Sequence, residues 1–272
     1  MRLSRFVKQI ITSMSQSVKK DRRQTEFKGN VWEGIYSHYR DVPATGEGFD
    51  GEVWVERTAA YTKRILDLSK SQRTVSTEVV NEHLLLPLLV SLICQQTKGT
   101  VKILDFGGGM GVTFIHLASS LTACPSIKYY VVERERVCEE GSRLLQHDER
   151  ISFCPELPQD LPDLDVVYIS SALQYIEDYK SILKALSAYQ PKYFLFTKLS
   201  AGDFPTYATA QKNVQGSVVA YWFININEVV EIMSEYGYSL LYKSALEQKY
   251  NQENFPEEYR LGQTCNLLFS RN

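Results

Sequence analysis

Two periods of apolar residues divide this chain. Short apolar stretches at 101–104, 128–132, 151–154, 164–169 and 193–197 have the length and the β-branched or aromatic content of buried strands. Between them, apolar residues recur every three or four positions at 112–121, 137–145 and 179–189, the stripe of a helix packed on one side. Strand and helix thus alternate, which predicts an α/β domain around a mostly parallel sheet. Two more helices, 53–71 and 75–97, precede the first strand, the second with a start signal at Ser76-Thr77-Glu78. A last helix runs from a cap at Asn225 or Asn227 to a stop at Gly237. Stretches 238–243 and 265–270 read as a closing antiparallel pair. The longest apolar run, 84–94, carries Pro87 and falls short of the roughly 20 residues of a membrane span, so it reads as a buried helix.

Some stretches break this rhythm. In residues 1–28, Phe6, Ile10, Ile11, Met14 and Val18 form an apolar stripe among seven basic residues, from Arg2 to Arg23. A basic amphipathic segment of this kind either lies on an anionic membrane surface, here through residues 1–24, or packs on its own domain or a second subunit. Residues 32–54 set Trp32, Tyr36, Phe49 and Trp54 among glycines, an ordered loop that caps a pocket or pins the N-terminal segment to the core. Residues 198–219 mix Gly, Thr and Gln with aromatics and read as a long functional loop, an acceptor-binding lid. The aromatics 221–223 serve as a wall of that site or as core, and 247–258 is polar and reads as exposed. The chain accordingly divides at 74: an N-terminal helix, aromatic loop and helical cap (1–74), then the main domain (75–272).

Composition narrows the function classes. With 272 residues and 44% apolar content the chain supports a sizeable core. A formal net charge of -2 argues against a dedicated nucleic-acid binder. The five cysteines show no CxxC spacing, which with the absence of a secretory leader points to free thiols in a reducing cytoplasm. No metal constellation is visible; Asp163 and Asp165 flank an apolar strand and read as turn residues.

The chemistry concentrates where the first strand ends. Asp105 is followed by Gly107, Gly108, Gly109 and Gly111, and then by a helix. Such a turn brings backbone close to a ligand and presents the N–H groups of a helix start. The dinucleotide spacing G-x-G-x-x-G fails in both registers, since Val112 and Phe114 occupy the last glycine's place. The pattern acidic-x-Gly-x-Gly-x-Gly fits throughout. Glu133 closes the second strand, where a carboxylate can accept hydrogen bonds from both hydroxyls of a ribose. The fourth strand runs into Ser170, Ser171 and the stretch SSALQY.

The glycine pattern, Glu133 and SSALQY resemble class I S-adenosyl-L-methionine (SAM) methyltransferases over about residues 75–270. More narrowly, Trp32-x-Gly34-x-Tyr36, LDFGGGMG, YYVVE and 211–222 resemble a bacterial methyltransferase family encoded in O-antigen and other surface-polysaccharide gene clusters. The resemblance implies a Rossmann-like class I methyltransferase fold. Its sheet has seven mostly parallel strands, with helices on both faces and an N-terminal helical extension. SAM is the implied cofactor, with Asp105 near its ammonium group, the four glycines against its methionine and ribose parts, and Glu133 on the ribose. Glu156 and Leu157 border the adenine, and Ser170 and Ser171 lie where strand four faces the methyl group. Many relatives carry His at the position of Gln174, and glutamine is no general base near neutral pH.

A hydroxyl acceptor must lose its proton, and His38, Tyr207 and Tyr175 are the candidate catalytic groups, with Asp178 behind them. His83, His116 and His147 sit in helix patterns and read as packing or surface residues. The expected activity is O-methylation of a sugar or glycan precursor in surface-polysaccharide biosynthesis, by a cytoplasmic enzyme that contacts a small-molecule or glycan acceptor. An oligomer is compatible with the sequence. The alternatives are a methyltransferase-fold protein that binds without catalysis and an NAD-dependent oxidoreductase.

Overall fold

A computed structural model describes residues 30–70, 84–97, 99–121, 126–159, 161, 163–214, 216–246 and 250–272. The expected helix start at 75–78 and the basic segment 1–28 lie outside these residues. The elements, in chain order, are β1 (Trp32–Tyr36), α1 (Glu52–Lys70), α2 (Leu85–Gln96), β2 (Val101–Phe106), α3 (Val112–Ser120), β3 (Ile127–Val132) and α4 (Glu135–Leu144). There follow β4 (Ile151–Cys154), β5 (Val166–Ser170), α5 (Tyr179–Ser187), β6 (Tyr193–Leu199), β7 (Ala201–Gly202) and β8 (Tyr207–Val214). The chain ends with β9 (Ser217–Asn225), α6 (Ile226–Glu235), β10 (Tyr238–Leu246) and β11 (Thr264–Arg271).

The α/β expectation holds. Seven strands form one sheet in the order β10-β11-β6-β5-β2-β3-β4. The five from β6 to β4 are parallel, while β11 runs antiparallel to both β6 and β10. The chain lays β3 and β4 on one side of β2, then returns to lay β5 and β6 on the other. The crevice between β2 and β5 is therefore a switch point, where sheets of this kind bind ligands at the carboxyl ends of their strands. The central strands are buried on both faces. Ile103, Val166 and Tyr168 face α1, α2 and α3 through Ile65, Val90, Phe114 and Leu117, while Leu104, Val167 and Phe194 face α5 and α6 through Leu183 and Met233.

Local chemistry fixes the helix ends. The Asp178 carboxylate caps α5 by accepting from the Ser181 amide at 3.0 Å, and Asn225 caps α6 by accepting from the Asn227 amide at 2.8 Å. Gly237 ends α6 with φ +84, a conformation that suits glycine.

Four expectations are corrected. The stretch 198–219 is no loose lid: β8 and β9 form a hairpin turning at Gly216 (φ +72), flanked by β1 and β7 in a second sheet of order β1-β8-β9-β7. Its residues alternate between two cores. Ala208, Ala210, Ala220, Trp222 and Ile224 face the main core, and Tyr207, Tyr221 and Phe223 join Trp32 in an aromatic cluster. Residues 221–223 are thus core. The polar stretch after β10 is not exposed throughout, because Gln252 and Phe255 close the same aromatic cluster at 3% exposure each. Helix α2 buries one side only, and Leu88 and Leu92 stand out at 58% and 57% exposure. Finally, Cys94 is disulfide-bonded, a partnership the spacing of cysteines along a chain does not reveal, while Cys138, Cys154 and Cys265 are free thiols. Among the described residues no helix is long and apolar enough to cross a membrane.

Candidate active site

A cavity of about 460 Å³ opens at the switch point, within the size range of small-molecule sites. Its floor is the glycine turn after β2. Gly107 (φ +71) sits so close to the next strand end that a Cβ there would stand 2.3 Å from the Cβ of Ala172. Gly109 (φ +57) is the opposite case: a Cβ there would meet nothing within 4 Å, so its backbone faces open space on the cavity wall. Gly111 (φ +81) starts α3. Gly108 and Gly111 are not on the wall; a Cβ on Gly108 would run into the Asp105 carboxylate.

One side of the cavity carries Glu133, at the end of β3. Its carboxylate accepts from the Gly109 amide at 3.3 Å and the Arg134 amide at 2.9 Å. Burial raises the Glu133 pKa, and these two N–H groups work against that rise. The other side is Ser171 and Ala172, beyond β5, with Tyr175 and Ile176 following. The Ser170 hydroxyl is turned to Thr197, from which it accepts at 2.9 Å, and does not line the cavity. Pro155 is on the wall; its neighbours Glu156, which is exposed, and Leu157, which packs on the core, are not.

The roof comes from far along the chain. Phe49, Trp54 and Thr58 line the cavity from above, with Phe49 edge-on to both Trp54 (4.9 Å between centroids) and Tyr175 (4.7 Å). Asp50 ties this strap down. Its carboxylate pairs with Arg134, and its carbonyl accepts from Arg136 at 2.8 Å. On the far side the Gly48 amide donates to the Ser217 hydroxyl at 3.0 Å. Of the two uses foreseen for the aromatic loop, Trp54 takes the first and lines the cavity, whereas Trp32 is buried and pins β1 to the second sheet.

Asp105 lies beneath the turn, 1% exposed and off the cavity wall. Tyr129 donates to its Oδ2 at 2.6 Å, and Oδ1 has no partner. Burial pushes its pKa from 3.8 to about 7; the Tyr129 hydroxyl lowers it and nearby Glu133 adds to the rise. A carboxyl held above its unfolded value binds its proton more tightly in the folded chain. The associated stability is complete below pH 3.8 and is lost as pH rises through about 7. Between pH 4 and pH 8 the wild type is expected to lose roughly 4 kcal/mol relative to Asp105→Asn, since each tenfold difference in proton affinity is worth about 1.4 kcal/mol. Urea unfolding of both proteins across that range checks this; parallel pH profiles would contradict it.

The three candidate catalytic groups are not brought together. His38 is exposed at the start of a short 3-10 turn and away from the cavity. Tyr207 is 2% exposed in the aromatic cluster and donates to the Tyr259 carbonyl at 2.6 Å. Tyr175 does line the cavity, but burial raises its phenol well above the ordinary value, so it holds its proton near neutral pH. His116 is buried in α3 behind the turn, where burial lowers its pKa. Sequence reasoning missed Arg134, Pro155 and Ala172 on the wall; each adjoins a residue it did single out.

No family model matches the chain, and no curated protein matches it. Solved structures similar in fold include magnesium protoporphyrin IX methyltransferase from Synechocystis PCC 6803 with bound S-adenosylhomocysteine (SAH). It is 12% identical, with a TM-score of 0.47, over 81% of this chain and 98% of that one. Another is the 1,6-didemethyltoxoflavin-N1-methyltransferase of Burkholderia thailandensis with 1,6-didemethyltoxoflavin and SAH, 16% identical, TM-score 0.46, over 80% and 89% of the two chains. A SAM-dependent methyltransferase from Mesorhizobium loti is 16% identical, TM-score 0.44, over 64% and 92%. The fold itself is established by the strand order and register of the sheet.

Proposed function

We propose that the cavity holds SAM and that the protein transfers a methyl group to a small-molecule acceptor. The observation that carries this is the open face of Gly109, set between a partnered carboxylate, Glu133, and the Ser171 edge of β5. When bound, SAM supplies a methyl group on a sulfonium, already a good leaving group. The chain's own task is then alignment and exclusion of water. Glu133, fixed by two backbone amides, accepts from ribose hydroxyls; the glycine turn admits the methionine part; the strap of Phe49 and Trp54 closes the site.

The finer reading is O-methylation of a sugar or glycan precursor for surface-polysaccharide biosynthesis, in the cytoplasm. The resemblance of the Trp32, LDFGGGMG and YYVVE stretches supports it, as does the aromatic wall of Phe49, Trp54 and Tyr175, which suits the apolar face of a sugar ring. The basic stretch 1–24 is our candidate contact with the inner membrane face; liposome co-sedimentation that survives its deletion would dismiss this.

A second reading, a binding protein of the same fold, is favoured by one observation. Among the described residues, the titratable side chains on the cavity wall are Glu133, Arg134 and Tyr175, and none of these is a histidine.

Isothermal titration with SAH tests the cofactor assignment. Wild type is expected to bind, and Glu133→Gln to bind about 10- to 100-fold more weakly, the worth of charge-assisted hydrogen bonds. A wild type without SAH affinity defeats the assignment. Incubation with radiolabelled SAM and a panel of nucleotide sugars then separates the two readings, since only an enzyme yields a labelled product.

A further inference from the structure

Two residues at the carboxyl edge of the sheet have left-handed backbones without being glycine: Ser171, just after β5 (φ +51), and Lys198, near the end of β6 (φ +53). A single side chain reaches both. The Gln174 amide nitrogen lies 3.1 Å from the Ser171 hydroxyl, 3.4 Å from the Lys198 carbonyl oxygen and 3.4 Å from the Tyr221 hydroxyl. A carbonyl only accepts, so the Gln174 atom facing Lys198 is the nitrogen and not the oxygen. Gln174 is 1% exposed, and its amide oxygen has no partner. Burying an amide in this way is costly, and what it secures is the conformation of two neighbouring strand ends.

The hydrogen-bond arithmetic gives Ser171 a defined role. An amide N–H can only donate, so the Ser171 hydroxyl accepts from Gln174 and retains its own proton. Ser171 lines the cavity, which makes that proton available to a ligand there. Charge decides which part of the ligand takes it. β5 and β3 flank β2 on opposite sides, so Ser171 and Glu133 stand on opposite sides of the glycine turn. An anionic group beside Glu133 would be repelled; on the Ser171 side it meets a hydroxyl donor.

We infer that Gln174 is a positioning residue that holds Ser171 as hydrogen-bond donor to the carboxylate at the amino-acid end of the bound cofactor. The inference rests on the SAM assignment above.

Two probes separate the ends of the ligand. SAH carries the carboxylate, whereas 5′-methylthioadenosine has the same nucleoside and thioether but no amino-acid end. Ser171→Gly removes the hydroxyl and eases the left-handed backbone. It is expected to melt no lower than wild type, to bind SAH about 10- to 100-fold more weakly, and to bind 5′-methylthioadenosine unchanged. Gln174→Glu turns the Ser171 proton towards the new carboxylate and should give the same split; if it does not fold, Ser171→Gly decides alone. An unchanged SAH affinity, or an equal loss for both probes, overturns the role of the pair while leaving the cofactor assignment intact. A wild type that binds neither probe overturns both.

Discussion

Gly107→Val is expected to abolish SAH binding, by more than about 100-fold, and to lower folding stability by roughly 3 kcal/mol or more. Two independent costs add. The backbone at this position is left-handed, with φ +71, which a β-branched residue tolerates poorly. The added Cβ would also stand 2.3 Å from the Ala172 Cβ, and a carbon bonded directly to the main chain cannot swing aside. The strand end carrying Ala172, and Ser171 with it, must therefore retreat from the turn. Gly109→Ala provides the control. Its φ of +57 carries strain of about 1–2 kcal/mol, but the new methyl group meets no atom of the protein within 4 Å. Urea unfolding and SAH titration of both variants should show the larger stability loss at Gly107. Equal losses would mean that backbone strain alone matters here and that the contact with Ala172 is unimportant.

Phe223→Ala is expected to cost about 3–5 kcal/mol of stability, the range for deleting a buried aromatic side chain. Phe223 is fully buried, at 0% exposure, and stacks on Tyr207 with centroids 5.2 Å apart. Trp32, Tyr221 and Tyr250 surround it at 5.7, 5.2 and 6.3 Å. Little in this ring of large side chains can collapse into the space left behind. The residue lines no part of the cavity, so the folded variant should bind SAH within a few-fold of wild type. A loss below about 1 kcal/mol in urea would show that the second sheet owes its stability to its other, alanine-rich face.

The central strands of the main sheet were legible because they are buried on both faces and read as apolar runs, and helices with a clear stripe follow β2, β3 and β5. The second sheet hid itself. In 207–214, Ala208 and Ala210 on one face alternate with Tyr207, Thr209 and Gln211 on the other, since the first face fits against a tight core and the second lies on the side of the large rings. A mixture of small polar and aromatic residues looks like a loop when the two faces cannot be told apart. In the site, the glycine turn was legible because backbone handedness restricts which residues can stand there, and Glu133 because it follows a strong strand. Arg134 was not, because its partner Asp50 lies 84 positions away and only the fold joins them. Asp105 shows a different limit: the pattern flags an acid at the turn but does not say that its carboxylate points down towards Tyr129. Tyr207 is similar, since nothing local reveals that its hydroxyl is committed to the Tyr259 carbonyl.

The pairing of β1 with β8 has a consequence for biosynthesis. The Thr209 hydroxyl donates to the Glu33 carbonyl across 176 positions, and Trp32 stands opposite Gln211 in the register. As the chain emerges from the ribosome, β2, α3, β3 and β4 can assemble from contiguous sequence. The first strand must wait, its tryptophan uncovered and its edge open, until the hairpin has been translated. Recruitment of β1 therefore follows translation of the hairpin, and a nascent chain arrested before residue 207 leaves that strand exposed to aggregation and to chaperone capture.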